Sequence, residues 1–179
     1  LSSIFNFGEV NVLCTDKTGT ITEGDVTVKD IVDINGKTNE RLRLYACLNA
    51  KLQNGFTNPI DLAIASLDVS INGYEKINEI PYDFIRKRLS VAVKNNGQRF
   101  FIVKGAFSNV LEVCSFVETG NGGTAPMDEQ KRSHVRDSFI LYSQLGYRVL
   151  GLAYKQIQKD KINRDEEQQI VRMGFILLQ

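Results

Sequence analysis

Five consecutive residues, Asp16-Lys17-Thr18-Gly19-Thr20, combine a carboxylate, a cation, two hydroxyls and a glycine whose backbone can approach an anion closely. Delivered from the carboxyl end of a buried strand, that set suits phosphoryl transfer to the Asp16 carboxylate itself. An Asx-turn closing a strand explains a bare Asp-Lys pair as well, but five residues in a row carry more information than one pair.

Further candidates lie along the chain. Lys104-Gly105 follows the apolar run Phe101 to Val103, so a cation stands at a strand end beside a residue with no Cβ to block a flat base; a solvated lysine is the rival reading. Phe84 follows a proline-containing turn, where an aromatic ring serves either as core or as a stacking surface. Arg148 stands beyond a helix stop and can meet a phosphate or a neighbouring carboxylate. Asp61 falls in a first helical turn, which is a sufficient purpose for an acid, and it is also a candidate acceptor from an amino group. Arg86-Lys87-Arg88 reads as a solvated strand entry or as a phosphate-facing patch, with Arg86 the member assigned here to nucleotide. His134 has no partner in view and receives no role.

Elements must position these side chains. Val10 to Thr15 is expected to be a buried strand entering the Asp16 loop, and Val26 to Ile34 a second strand closed by Asn35-Gly36. Leu42, Tyr45, Leu48 and Leu52 share a helical face. Asn58-Pro59 starts a helix expected to reach about Val69, Asn serving as cap and Pro as first helical residue. Tyr74 to Ile80 is extended. Leu89 to Lys94 and Gln98 to Lys104 form a hairpin about Asn95-Asn96-Gly97. Ala106 to Phe116 predicts a short helix, Thr119 to Gly123 a loop or hairpin tip, Asp128 to Leu145 a longer helix stopped by Gly146, and Arg148 to Tyr154 a strand. Ile157 to Gln169 is polar enough for a loop or exposed helix, and Met173 to Leu178 is a last apolar run. The fold class is α/β (α+β), a largely antiparallel twisted sheet flanked by helices.

Composition bounds the function. With 179 residues and 42% hydrophobic content the chain can build a core. Lys and Arg total 22 against 21 Asp and Glu, a net +1, which excludes the broad basic footprint of a nucleic-acid-coating protein and leaves local grips on anions. Cys14, Cys47 and Cys114 lack metal-ligand spacing and are expected to be reduced core residues. No apolar stretch approaches the roughly 20 residues of a membrane span. A soluble, monomeric piece of a larger protein is expected, since the chain opens without Met or a signal sequence.

Asp16-Lys17-Thr18-Gly19-Thr20-Ile21-Thr22 resembles the phosphorylation signature of P-type ATPases, cation pumps that pass through an aspartyl phosphate. Tyr82 to Val91 is similar to the segment of their nucleotide-binding domain whose Phe stacks on adenine, here Phe84. Lys104-Gly105-Ala106 resembles its Lys-Gly-Ala motif, Gly146 to Leu150 the stretch whose Arg reaches the nucleotide, here Arg148, and Asp61 the acid near adenine. Asn6-Phe7-Gly8, Leu13 to Asp16 and Glu79 to Phe84 look most like the bacterial magnesium-transporting members.

The resemblance implies ATP and Mg2+ as cofactors, Asp16, Lys17 and Thr18 as catalytic residues, and Asp16 and Thr18 as magnesium contacts in the intact pump. It implies a haloacid-dehalogenase-like strand and loop over 1–25, a nucleotide-binding domain over 26–172 and a return segment over 173–179. Related phosphatases carry an acid where Thr18 stands, so a long-lived aspartyl phosphate is expected. The family's Gly-Asp-Gly segment, its acyl-phosphate Lys and its actuator loop are not found in this sequence. The expectation is therefore a cytoplasmic ATP-binding domain of a membrane pump, partnered by the remaining phosphorylation, actuator and transmembrane domains, that binds nucleotide without turning it over. A free-standing phosphatase or phosphotransferase acting through Asp16 is the rival, and a structural or partner-binding domain the third reading.

Overall fold

The computed structural model describes residues 11–12, 14–16, 26–55, 58–119, 123–160 and 162–179. Its frame is one mixed, mostly antiparallel sheet in which β2 (Glu75–Ile80), β3 (Arg88–Asn95), β4 (Gln98–Ala106), β7 (Arg148–Ile157) and β8 (Ile170–Leu178) lie side by side. Along its other edge β8 pairs with two strands. β1 (Val28–Asp33) runs antiparallel to its second half, and β5 (Cys114–Glu118) runs parallel to its first, with β6 (Thr124–Pro126) outside β5. The boundary expected between 172 and 173 thus falls inside a single strand at the centre of the sheet. The α+β class and the antiparallel preference are as expected.

Local chemistry explains most elements. β3 and β4 are joined by Asn96 and Gly97, both at positive φ (46° and 79°), the paired left-handed geometry of a two-residue hairpin turn. Helix α1 (Glu40–Leu52) places Leu42, Tyr45 and Leu48 against Ile31, Val91, Ile102 and Ile176 of the sheet. Helix α2 (Pro59–Ala65) is capped by Asn58, whose Oδ1 accepts from the Asp61 N–H at 3.0 Å. It ends before Val69, because the Ser66 hydroxyl donates to the Ala63 carbonyl at 2.8 Å and the chain turns away. Helix α4 (Glu129–Gln144) is capped by Asp128, and on the opposite face of the sheet from α1 it packs with α3 (Phe107–Glu112) around Phe107, Val135 and Phe175.

Several expectations change. The helix expected over 106–116 stops at Glu112, and Cys114 to Phe116 become β5, since the first half of β8 would otherwise present an unpaired edge. Asn11, Val12 and Cys14 to Asp16 are exposed and outside any strand or helix, so the buried strand expected over 10–15 is not seen at these residues: none pairs with the sheet. Cys14 is exposed for the same reason, whereas Cys47 and Cys114 are buried free thiols. Burial pushes both thiols up, Cys114 to about 11. Among the described residues no helix is long and apolar enough to cross a membrane.

Candidate functional site

The candidate site gathers at one end of β3, β4 and β7. Register places Arg88 opposite Gly105 and Leu89 opposite Lys104, while Lys104 faces Leu152 across the other edge of β4. The 81–87 turn, which carries Tyr82, Phe84 and Lys87, is stitched to the same end: the Ala106 N–H donates to the Lys87 carbonyl at 2.8 Å. Arg148 begins β7 two residues beyond Leu150, the partner of Ala106. Strand alternation puts Arg148 on the face of Leu150, Leu152 and Lys104, about 13 Å from the Lys104 level along the sheet.

Lys104 is buried and ion-paired with Asp61 of α2, also buried. The second Asp61 oxygen accepts from Asn58 Nδ2 at 2.8 Å. Burial pushes the Lys104 ammonium below its ordinary value and the Asp61 charge pulls it back. Lys104 is therefore no solvated strand end: it is a desolvated cation held by one carboxylate.

Phe84 is 87% exposed and meets Tyr82 edge to face, ring centroids 5.6 Å apart. It has no core role, so the stacking-surface reading is the one the geometry leaves. Tyr82, given no separate role in the sequence reading, stands beside Phe84 in this turn.

The basic triplet is divided. Arg86 donates to both Glu167 oxygens at 2.7 Å, to the Pro81 carbonyl at 2.7 Å, and pairs with Asp83. Arg88 donates to Glu167 at 2.8 Å and to the Asn109 carbonyl at 3.2 Å. Lys87, between them at φ 49°, is exposed and in no ion pair among the described residues. Arg86, the member expected at the phosphates, thus makes four hydrogen bonds to protein acceptors, and Lys87 is the member of the triplet in no ion pair among the described residues.

Gly105 is buried, and a Cβ there would stand 2.4 Å from the Lys87 carbonyl oxygen and 2.5 Å from Arg88 Cβ. Its bareness lets β4 lie against the Lys87–Arg88 backbone. Arg148 is exposed and in no ion pair among the described residues. Asp16 is exposed, its carbonyl accepting from the Thr15 hydroxyl at 3.2 Å, and no hydrogen bond joins its side chain to the Lys104 group. Lys17 and Thr18 lie outside the described residues. No three metal-ligating side chains converge among the described residues.

A cavity of about 700 Å³ is bordered by Arg86, Arg88, Asn109 and Gln168, not by Phe84, Lys104 or Arg148. At this sheet end Phe84, Lys87 and Arg148 are exposed while Lys104 is buried.

Residues 7–177 match the family model described as "P-type ATPase, cytoplasmic domain N". The chain is 35% identical over 185 residues to "Magnesium-transporting ATPase, P-type 1" of Escherichia coli (strain K12), which covers 98% of the chain and 20% of that protein. It is 33% identical over 186 residues to the protein of the same name from Salmonella typhimurium (strain LT2), again 98% of the chain and 20% of the relative. It is 30% identical over 193 residues to "Probable cation-transporting P-type ATPase" of Mycoplasma genitalium, covering all of the chain and 21% of that protein. The chain thus spans about one fifth of the length of these relatives.

Proposed function

The chain belongs to the family of the P-type ATPase cytoplasmic domain N, and on that premise we propose that it is the nucleotide-binding part of a cation-transporting membrane pump, magnesium being the ion named for the relatives from Escherichia coli and Salmonella. The observation that carries the reading is the sheet end that holds an exposed aromatic pair, an exposed lysine in no ion pair among the described residues and a buried lysine. The adenine stacks on Phe84, with Tyr82 bracing the ring edge. Lys104 meets the nucleotide with its charge already half compensated by Asp61, while Lys87 and Arg148 take the phosphates. Gly105 serves by allowing the close approach of β3 that sets Lys87.

In the intact pump the γ-phosphate is transferred to Asp16, followed by domain movement and transport through the remaining phosphorylation, actuator and transmembrane domains. Mg2+ accompanies the phosphates, and in the intact pump Asp16 and Thr18 would contact it together with ligands from the remaining phosphorylation domain.

Nucleotide affinity should be modest, because the sequence has no Gly-rich phosphate loop of the Walker type and the base supplies much of the grip. The test is an ATP titration followed by NMR. Amides of Tyr82, Phe84 and Lys87 should shift, and Phe84→Ala should weaken binding by about 1–3 kcal/mol without lowering the melting temperature. Unmoved shifts at millimolar ATP would refute the proposal.

A further inference from the structure

Glu167 is the most thoroughly engaged carboxylate among the described residues, yet it belongs to no part of the site as described. Its side chain is 1% exposed. Its oxygens accept from Arg86 Nη1 at 2.7 Å each, from Arg88 Nε at 2.8 Å and from the Ser90 hydroxyl at 2.6 Å. It lies just after a 3-10 turn over Arg164–Glu166, three residues before β8 begins. A carboxylate that accepts four hydrogen bonds from three donor groups in a dry setting is a fixed point, since each bond it makes is charge-assisted and poorly replaced by water.

What it fixes is the 81–87 turn. Arg86, held at Glu167, also grips the turn from inside, through the Pro81 carbonyl at 2.7 Å and the Asp83 carboxylate. Asp83 in turn accepts from the backbone N–H groups of Ile85 at 3.0 Å and Arg86 at 2.7 Å, and these bonds hold its carboxyl below the usual range. Arg88 is drawn to the same carboxylate from two residues further on, so Lys87 between them is left with a left-handed backbone and an outward side chain. One buried acid therefore sets two directions: the arginines inward, and Phe84 and Lys87 outward. Its partners are 77 to 81 residues away in sequence, so the turn is tied to an element the ligand need never touch.

We infer that Glu167 is a positioning residue for the nucleotide-binding turn, presenting Phe84 and Lys87 through the clasp of Arg86, Arg88 and Ser90. The inference rests on the nucleotide-binding reading and adds the residue that makes the open site geometrically definite. Without the anchor the turn samples several arrangements, and apparent affinity falls by the fraction of time spent in the competent one; one part in ten gives a tenfold loss.

The test compares the wild-type chain with Glu167→Gln, Ser90→Ala and, as control, Glu166→Gln, whose side chain makes only long contacts to Lys155 and Lys159. ATP affinity is measured by calorimetry at a temperature where each variant is folded, and backbone order over 82–87 by heteronuclear NOE. Expected are an affinity loss of about tenfold or more in Glu167→Gln with lowered NOE values over 82–87, a smaller loss of about two- to threefold in Ser90→Ala, and no change in Glu166→Gln. A folded Glu167→Gln protein that binds ATP like the wild type with an ordered turn overturns the inference, as a merely structural role would lower the melting temperature alone. Should Glu167→Gln not fold, Ser90→Ala decides, and wild-type affinity with a lowered melting temperature counts against the inference. If the wild type itself binds no ATP, the nucleotide reading fails, and the anchoring claim is judged on the NOE values alone.

Discussion

Replacing Asp61 by Asn removes the charge opposite a buried lysine and keeps the side-chain shape. Lys104 is 6% exposed and Asp61 3%, so water cannot take over as partner without opening the contact between α2 and β4. Breaking a buried pair on one side costs about 3–5 kcal/mol, well above the 0–1 kcal/mol of an exposed pair. The pH dependence carries a second signature. Burial already holds Lys104 below its ordinary value, with Asp61 opposing it. With that charge gone the folded-state pKa falls further, while the unfolded value stays near ~10.4. The folded state then binds fewer protons than the unfolded state over a wider window, so the variant regains stability as pH rises through that window, by up to about 1.4 kcal/mol per pH unit.

The assay is urea unfolding at several values between pH 6 and 9.5, followed by circular dichroism because the chain has no Trp. Adding Lys104→Met to Asp61→Asn should restore most of the stability, since an apolar side chain needs no partner. Nucleotide binding should not return with it. A loss under about 1 kcal/mol at pH 7, with pH profiles parallel to the wild type, would refute the buried-pair argument.

Three further outcomes follow from the geometry. Gly105→Ala should lower stability by about 1–3 kcal/mol or more in a thermal melt, because its Cβ meets strand backbone that cannot yield without losing register. Arg172, fully buried over the Phe107 and Phe175 rings at 5.1 and 4.8 Å, has no hydrogen-bond partner among the described residues and is pulled down to about 10 by burial. Arg172→Met should therefore leave urea stability unchanged or raise it by about 1–4 kcal/mol, and a loss above about 2 kcal/mol would show that the rings hold the cation strongly. An aromatic disulfide reagent at pH 7.5 should titrate one thiol rapidly, Cys14, and the other two only after urea is added.

Local signals were legible where the physics is local. The Asn96-Gly97 turn and the Asn58 cap before Pro59 each depend on atoms within four residues, and each is found where the sequence places it. Lys104 and Phe84 were legible as candidates, but their environments were not: burial of one and exposure of the other depend on α2 and on the path of the 81–87 turn. Glu167 gave no signal at all. It sits in Asp-Glu-Glu-Gln-Gln, a stretch that reads as solvated, and only partners some 80 residues away bury it. Cys114 to Phe116 carried helical spacing and still became a strand, because the demand of β8 for a neighbour outweighs a short apolar pattern.

The placement of β8 also sets a clock on synthesis. β1 finds its register only against residues up to Leu178, with Val28 opposite that residue, and β5 and β7 wait for the same strand. A ribosome adding 5–20 residues per second needs roughly 7–30 s to pass from the first of these strands to the last. For most of that interval Ile31 of β1 lacks its neighbour in β8, and Val149 and Leu152 of β7 lack theirs only over the last part of it. β8 is thus the common partner of three strands made before it, and a chain stopped before residue 170 leaves β1, β5 and β7 without that partner.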